Sequence, residues 1–161
     1  VFHYTSHADT LSPASTEHLH ISRAEEILNK ESGWKALTGT TNFGLIVSEH
    51  ENNAAYKLAF DLFVDRICGY VGGYYVALGG RVDALVFAGG IGERSDVLRK
   101  AVVTQASCLG FEIDEAANSH KIEDVVQDVG RKSARHRTLV CLTDEQFEMA
   151  RSCAEDGELW K

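Results

Sequence analysis

No apolar run in this 161-residue sequence approaches the length that crosses a bilayer, and the amino end lacks the basic-then-apolar order of a secretory signal. The four cysteines, Cys68, Cys108, Cys141 and Cys153, are widely separated and form no C-x-x-C pair. Three of them sit in apolar periodic surroundings, so the expectation is buried, reduced thiols in a cytoplasmic protein. Basic residues are in the minority: sixteen Lys and Arg against twenty-four Asp and Glu leave a formal charge of −8. That balance favours solubility and argues against a nucleic-acid or acidic-membrane partner. Proline occurs once, at Pro13, and no internal repeat or low-complexity tract is visible. Nor does the chain begin with Met; it starts at Val1 and is expected to have been cut from something longer. Hydrophobic residues make up 44% of it, enough for one domain with a sizeable core.

The most informative stretch is Asp83-Ala84-Leu85-Val86-Phe87-Ala88-Gly89-Gly90-Ile91-Gly92-Glu93. A short apolar strand pattern, residues 83–87, ends in three glycines and a carboxylate, and a helical pattern begins near Ser95. Strand, glycine turn and helix in that order is how α/β proteins build a nucleotide site at the carboxyl end of a sheet. Glycine lets backbone approach a ligand and adopt positive φ, and a following helix turns unpaired N–H groups toward an anion. A tight turn that binds nothing is equally compatible with these glycines alone. The stretch matches neither G-x-x-x-x-G-K-[ST] nor G-x-G-x-x-G.

Elsewhere, residues 1–20 are polar and irregular, and His3, His7, His18 and His20 read as solvated loop histidines because no metal-ligand set surrounds them. Ser22 and Glu25 form a capping box for a short helix that runs through Lys30 and is ended by Gly33. The clearest helix spans residues 54–78, with Ala55, Leu58, Ala59, Leu62, Phe63, Ile67, Tyr70, Val71, Tyr74 and Leu78 on one face. Gly69, Gly72 and Gly73 inside it leave two readings open, close packing or a locally weakened surface helix. After the glycine turn, Val97, Leu98, Ala101, Val102 and Leu109 predict a helix that Gly110 terminates. Residues 112–138 read as a variable polar region, with a solvated basic cluster at Arg131, Lys132, Arg135, His136 and Arg137. Residues 139–142 read as a buried strand, and Thr143 with Gln146 as a capping box for the last helix. Alternation of strand and helix predicts an α/β layer with a largely parallel sheet.

Residues 82–93 resemble the nucleotide-binding segment of acetate kinases, within the wider acetate and sugar kinase, Hsp70 and actin superfamily. Three further segments are similar to the same family: residues 32–44, ending in Thr40-Thr41-Asn42-Phe43-Gly44; residues 66–74 in the long helix; and residues 143–151, which open Thr143-Asp144-Glu145-Gln146. The resemblance covers roughly residues 21–151. It implies an actin-like, ribonuclease H-like ATPase fold, the chain being the C-terminal nucleotide-binding lobe, with residues 1–20 as an irregular leading segment. It implies ATP or ADP held by Asn42, Phe43, Gly44, Gly89, Gly90, Ile91, Gly92 and Glu93, and Mg²⁺ served by Glu145. Acetate and acetyl phosphate would be the other substrates, and a homodimer the assembly of the full-length protein.

The residues themselves leave other roles open. Glu93 is either a ligand-site group or an acid offsetting a helix end, and Glu145 is open to the same helix-end reading. Trp34 and Phe43 read as core aromatics in preference to base-stacking platforms. Four positions depart from common family choices: Asn42 for Asp, Ala88 for Thr, Arg94 for Asn and Gln146 for Glu. Asn42 keeps an acceptor but loses the charge, which bears on nucleotide preference. The family's catalytic Asp, its transition-state His and Arg, its amino-terminal metal Asn and its acetate pocket all belong upstream, so no catalytic residue is assigned here. His18, His20 and Arg23 are not substitutes for them. The functions left open are an acetate kinase represented in part, a kinase for propionate or butyrate, and a non-catalytic nucleotide-binding module with the same fold.

Overall fold

The structure is a computed structural model that describes residues 23–157. The four histidines of the leading segment and Ser22 of the first capping box lie outside the described residues. Two compact units divide between Phe63 and Val64.

The first unit is helical. A single turn, α1 (Arg23–Glu26), widens into a π turn over Ile27–Glu31, so the expected helix reaches Glu31. The Ser32 hydroxyl donates to the Ile27 carbonyl at 2.9 Å and closes it. Gly33, at φ +63°, then separates this turn from α2 (Trp34–Thr38). Next comes α3 (Phe43–Glu49), and α4 (Ala54–Ala77) begins in this unit and continues into the other. Phe43 and Ile46 are buried under an aromatic cluster, with Trp34 at 5.1 Å from the Phe43 ring and edge-on to Phe63 at 4.9 Å. Both aromatics therefore do have the core role expected of them.

The second unit is α/β. Its strands are β1 (Ala84–Ala88), β2 (Val126–Asp128) and β3 (Arg137–Cys141), in the order β1-β3-β2. β1 pairs parallel to β3, in register from Ala84 opposite Arg137 to Ala88 opposite Cys141, whereas β2 pairs antiparallel. The sheet is thus mixed, not largely parallel. Between β1 and β2 run α5 (Gly89–Arg94), α6 (Asp96–Gln105), a 3₁₀ turn over Ser107–Leu109 and α7 (Glu115–Ser119); α8 (Glu145–Glu155) follows β3. Phe87, Leu98, Val102, Val103, Phe111, Val129 and Val140 form the core.

Several expectations change. The region 112–138, read as variable and polar, holds α7, all of β2 and the start of β3. Three-residue, half-exposed β2 has no alternation long enough to detect. His136 is buried against Tyr75 and Phe111, its Nε2 3.3 Å from the Tyr75 hydroxyl, so it leaves the solvated cluster. The inward side of α4 is rotated from the expected face: Ala59, Phe60 and Val64 are buried, while Leu58, Leu62, Tyr70, Tyr74 and Leu78 are exposed. Apolar residues occur nearly all round this helix, so periodicity alone does not select the buried stripe. Among the described residues, a β-carbon added at Gly69, Gly72 or Gly73 meets no atom within 4 Å, so no described contact requires glycine there. None of the cysteines is fully buried; Cys108 and Cys153 are exposed. Short apolar context around a residue does not settle which way it points. Among the described residues no helix is long and apolar enough to cross a membrane.

Two core positions give stability changes of opposite sign. Thr138 Oγ1 is buried and makes no hydrogen bond, so Thr138→Val removes an unsatisfied group at constant shape. Thr138→Val is expected to stabilise by about 1 kcal/mol. Gly110 sits at φ +93°, and an added β-carbon would lie 2.9 Å from Arg135 Cβ. Gly110→Ala is expected to cost at least about 1–2 kcal/mol. Thermal unfolding of the two variants checks both signs.

Candidate functional site

Parallel pairing sets the carboxyl ends of β1 and β3 side by side, Ala88 opposite Cys141. The chain leaves β1 into α5 and leaves β3 into the segment before α8. The residues singled out at each exit therefore meet at one edge of the sheet, where α/β proteins place ligands.

At the β1 exit the glycine turn is itself a short helix, α5, and its glycines differ in what they do. Gly89 adopts φ +75°, a backbone region that L side chains rarely enter. Gly92 lies against Phe87, whose Cβ would be 3.4 Å from an added β-carbon. Gly90 is exposed, and a β-carbon there would meet nothing within 4 Å. Only Gly90 is thus left unexplained by its own surroundings. Ile91 is half-buried beside it.

Glu93 does not precede the next helix as an N-terminal acid; it lies near the end of α5 and its carboxylate curls back. Oε1 accepts from the Gly89 N–H at 2.9 Å, from the Thr143 N–H at 2.9 Å and from the Thr143 hydroxyl at 2.8 Å. These bonds, the Thr143 hydroxyl foremost, hold the Glu93 carboxyl below its ordinary pKa, with Arg94 adding to them. The role of Thr143 differs from the expected one. It does not cap α8, because Asp144 does: Asp144 Oδ1 accepts from the Phe147 N–H at 2.8 Å. Both side chains have an oxygen suitable for capping, and the sequence does not reveal that Thr143 is taken by Glu93.

Glu145 opens α8 and is exposed, with Oε1 3.1 Å from the Thr143 hydroxyl. One hydroxyl proton cannot serve two carboxylates at once, and the shorter contact with Glu93 leaves Glu145 the weaker claim. An exposed carboxylate oxygen of this kind suits Mg²⁺, which takes one or two carboxylates and completes its shell with water and phosphate. Among the described residues no group of three or more His, Cys, Asp or Glu side chains is arranged to hold a metal, so Mg²⁺ would need further ligands.

A cavity of about 580 Å³ opens beside the β1 exit, lined in part by Glu93, Arg94, Arg99, His120 and Lys121. Its size falls in the range of small-molecule sites. Residues 118–122 line this cavity and were not singled out in the sequence, since they carry no motif and lie in a stretch read as variable.

In the first unit, Asn42 caps α3: its Oδ1 accepts from the Leu45 N–H at 3.3 Å, and its own N–H donates to the Thr40 hydroxyl at 3.0 Å. Gly44 packs close to this cap, where an added β-carbon would lie 3.3 Å from Asn42 Oδ1. Phe43 is turned into the aromatic cluster and anchors the segment. Capping uses one lone pair of Oδ1, and the side-chain N–H₂ is the group that Asn has and Asp lacks.

The model of the Acetokinase family matches residues 12–151. A Neurospora crassa protein named probable acetate kinase is 56% identical over an alignment that covers all of this chain and 40% of that protein. Among solved structures, the acetate kinase of Entamoeba histolytica superposes with a TM-score of 0.76 at 24% identity, covering 92% of this chain and 41% of that one. At that identity the likeness speaks for the fold. A propionate kinase from Francisella tularensis gives a TM-score of 0.71 at 28% identity, covering 88% of this chain and 37% of its own. The chain spans about 40% of the length of the first of these relatives. This likeness to acetate and propionate kinases bears out the expected actin-like ATPase fold.

A pH dependence follows from the Glu93 clamp. Folding lowers the Glu93 pKa, so the associated stability is present above the unfolded carboxylate's pKa and is lost as pH falls through the lower folded value. Thr143→Val removes the largest cause of the shift. It is expected to bring the Glu93 titration, followed by carboxyl-carbon NMR, up toward the ordinary range. The variant is also expected to be less stable at neutral pH and to lose less stability on acidification. An unmoved Glu93 titration contradicts the clamp.

Proposed function

The chain belongs to the acetokinase family, and on that premise we propose that the whole protein containing it is an acetate kinase. A carboxylate oxygen of acetate attacks the γ-phosphorus of ATP in line, the bond from that phosphorus to the β–γ bridging oxygen breaks, and acetyl phosphate and ADP result; the reaction runs in both directions. The observation that carries the reading is the meeting of the two strand exits, with an exposed glycine on one, an exposed carboxylate on the other and a cavity alongside.

In this reading Gly89, Gly90, Ile91 and Gly92 bring backbone up to the nucleotide, with Gly90 at closest approach. Asn42, held by Phe43 and Gly44, recognises adenosine through its side-chain N–H₂. Glu145 is the residue that would hold Mg²⁺, which neutralises phosphate charge when bound. Glu93 keeps the turn in shape and contributes to the ligand site through that shape. Groups that align acetate and stabilise the transferring phosphoryl lie outside residues 1–161, so these residues alone are expected to show no appreciable turnover. Absence of even one such group costs about 10²–10³ in rate. We place the whole protein in the cytoplasm as a homodimer, with no membrane or nucleic-acid partner. The likeness to a propionate kinase supports a second reading, transfer to propionate or a slightly longer acid.

Hydroxylamine trapping of acyl phosphate by the whole protein, with ATP and a series of short-chain acids, tests the reaction and ranks the acids. No acyl phosphate from any of them would leave the non-catalytic module. Two variants test the assignments. A β-carbon at Gly90 meets no described atom within 4 Å, so Gly90→Val is expected to leave the thermal midpoint nearly unchanged while weakening ATP and ADP at least about tenfold. Glu145→Ala is expected to raise the Mg²⁺ concentration needed for half-maximal rate and to lower turnover, with metal-free ADP binding unchanged. An unaltered Mg²⁺ requirement would reduce Glu145 to a helix-end acid.

A further inference from the structure

Arg99 is the least expected residue in the second unit. Its side chain is 2% exposed, in the second turn of α6, and its guanidinium bonds are all to carbonyl oxygens. Nε donates to Asn118 Oδ1 at 2.7 Å, Nη2 to the Asn118 carbonyl at 2.9 Å, and Nη1 to the carbonyls of Gly92 at 2.9 Å and Glu93 at 2.8 Å. Asn118, also buried, donates its Nδ2 to the Asp96 carbonyl at 2.9 Å and is thereby fixed in its orientation. Burial pulls the Arg99 pKa below its ordinary value, and Asp96 offsets part of that.

A buried cation bonded to neutral acceptors is a costly way to fill space, since an apolar side chain of similar volume does so without desolvating a charge. What the guanidinium provides is direction. Its planar fork reaches two successive carbonyls at the end of α5 with one nitrogen and the end of α7 with the other two. The last carbonyls of a helix lack intrahelical partners, and a positive charge there also suits the helix dipole. Glu93 is consequently held twice: its backbone by Arg99, and its carboxylate by Gly89 and Thr143. Arg99 and Asn118 line the same cavity as Glu93.

We propose that Arg99, braced by Asn118, is the positioning residue of the glycine turn. It fixes the Gly92 and Glu93 carbonyls so that the Gly89–Glu93 backbone keeps the shape that receives the nucleotide's phosphates. The part concerning nucleotide rests on the function proposed above; the part concerning the turn does not.

The test uses the whole protein and three variants. Arg99→Lys keeps the charge but replaces the fork with a single nitrogen. Asn118→Ala leaves Arg99 in place while removing one of its acceptors. Val102→Ala, a buried position on the same helix outside the site, serves as a control for plain loss of stability. Arg99→Lys is expected to raise KM for ATP and Kd for ADP about tenfold, with KM for the carboxylic acid changed less than about twofold. Asn118→Ala is expected to show the same pattern more weakly, and Val102→Ala to leave nucleotide affinity unchanged at a similar loss in thermal midpoint. Amide hydrogen exchange at residues 89–94 is expected to quicken in Arg99→Lys and Asn118→Ala beyond its rate in Val102→Ala. If the unsubstituted protein binds neither ATP nor ADP, the nucleotide reading fails, and exchange still decides whether Arg99 positions the turn. Should Arg99→Lys not fold, Asn118→Ala carries both readouts. Exchange in the site variants no faster than in the control, or unchanged nucleotide affinity in a protein that binds ADP, overturns the proposal.

Discussion

One carboxylate oxygen, Oε1 of Glu93, ties together the parts of the second unit that matter most. It takes three hydrogen bonds, one from the start of its own helix and two from Thr143, fifty residues further along the chain. The first closes the glycine turn on itself. The other two fasten that turn to the segment between β3 and α8. Without Glu93 the exits of β1 and β3 would still be neighbours through strand pairing, but the direct tie from α5 to the segment before α8 would be lost. Charged acceptors make roughly twice the hydrogen bond of neutral ones, so this junction is well suited to a single acidic residue.

A constraint of this kind requires a rigid base, which the register of β1 on β3 provides. Phe87 and Val140 are register partners, and both are buried. Slipping the pair by one residue would turn one of them out to solvent and separate Ala88 from Cys141. Above that base the turn is secured from both sides of its backbone. Arg99, oriented by Asn118, donates to its Gly92 and Glu93 carbonyls, and Glu93 with Thr143 closes it, so Gly90 is left as the exposed point of a braced loop. Rigid support around a small exposed surface is the arrangement expected where binding depends on shape more than on reactive side chains.

The first unit follows the same logic with different materials. Burial of Phe43 among Trp34, Phe60 and Phe63 locates the start of α3, and the Asn42 cap then determines which way its amide faces. Replacing the family's usual Asp by Asn keeps the cap, since one acceptor oxygen suffices, and exchanges a charge for two N–H donors. The cap is therefore kept while the groups that this exposed side chain presents are changed. Of the other departures, Arg94 adds to the electrostatic hold on the Glu93 carboxyl, and Ala88 enters the turn through its backbone as the residue that precedes α5.

Some of this was legible in the chain. The β1 strand, the long helix α4, the glycine turn and the α6 helix all appear where local patterns put them, because each is written in neighbouring residues, although α6 ends at Gln105 and Gly110 closes the 3₁₀ turn after it. The family was legible for the same reason: its segments are short and contiguous. Other features were not. Thr143 was indistinguishable from a helix cap, Arg99 looked like one more charge on an amphipathic helix, and Asn118 and His120 lay in a stretch with no periodicity. The buried face of α4 was equally hidden, since a helix apolar on most sides leaves its partners to choose. By itself the sequence determined the local elements and the chemistry of the glycine turn, through spacing, caps and positive-φ positions. Only the tertiary structure decided which carboxylate clamps the turn, which arginine braces it and which glycine faces outward, because the bonds of Glu93 to Thr143 and of Arg99 to Asn118 join residues distant in sequence that no local pattern encodes.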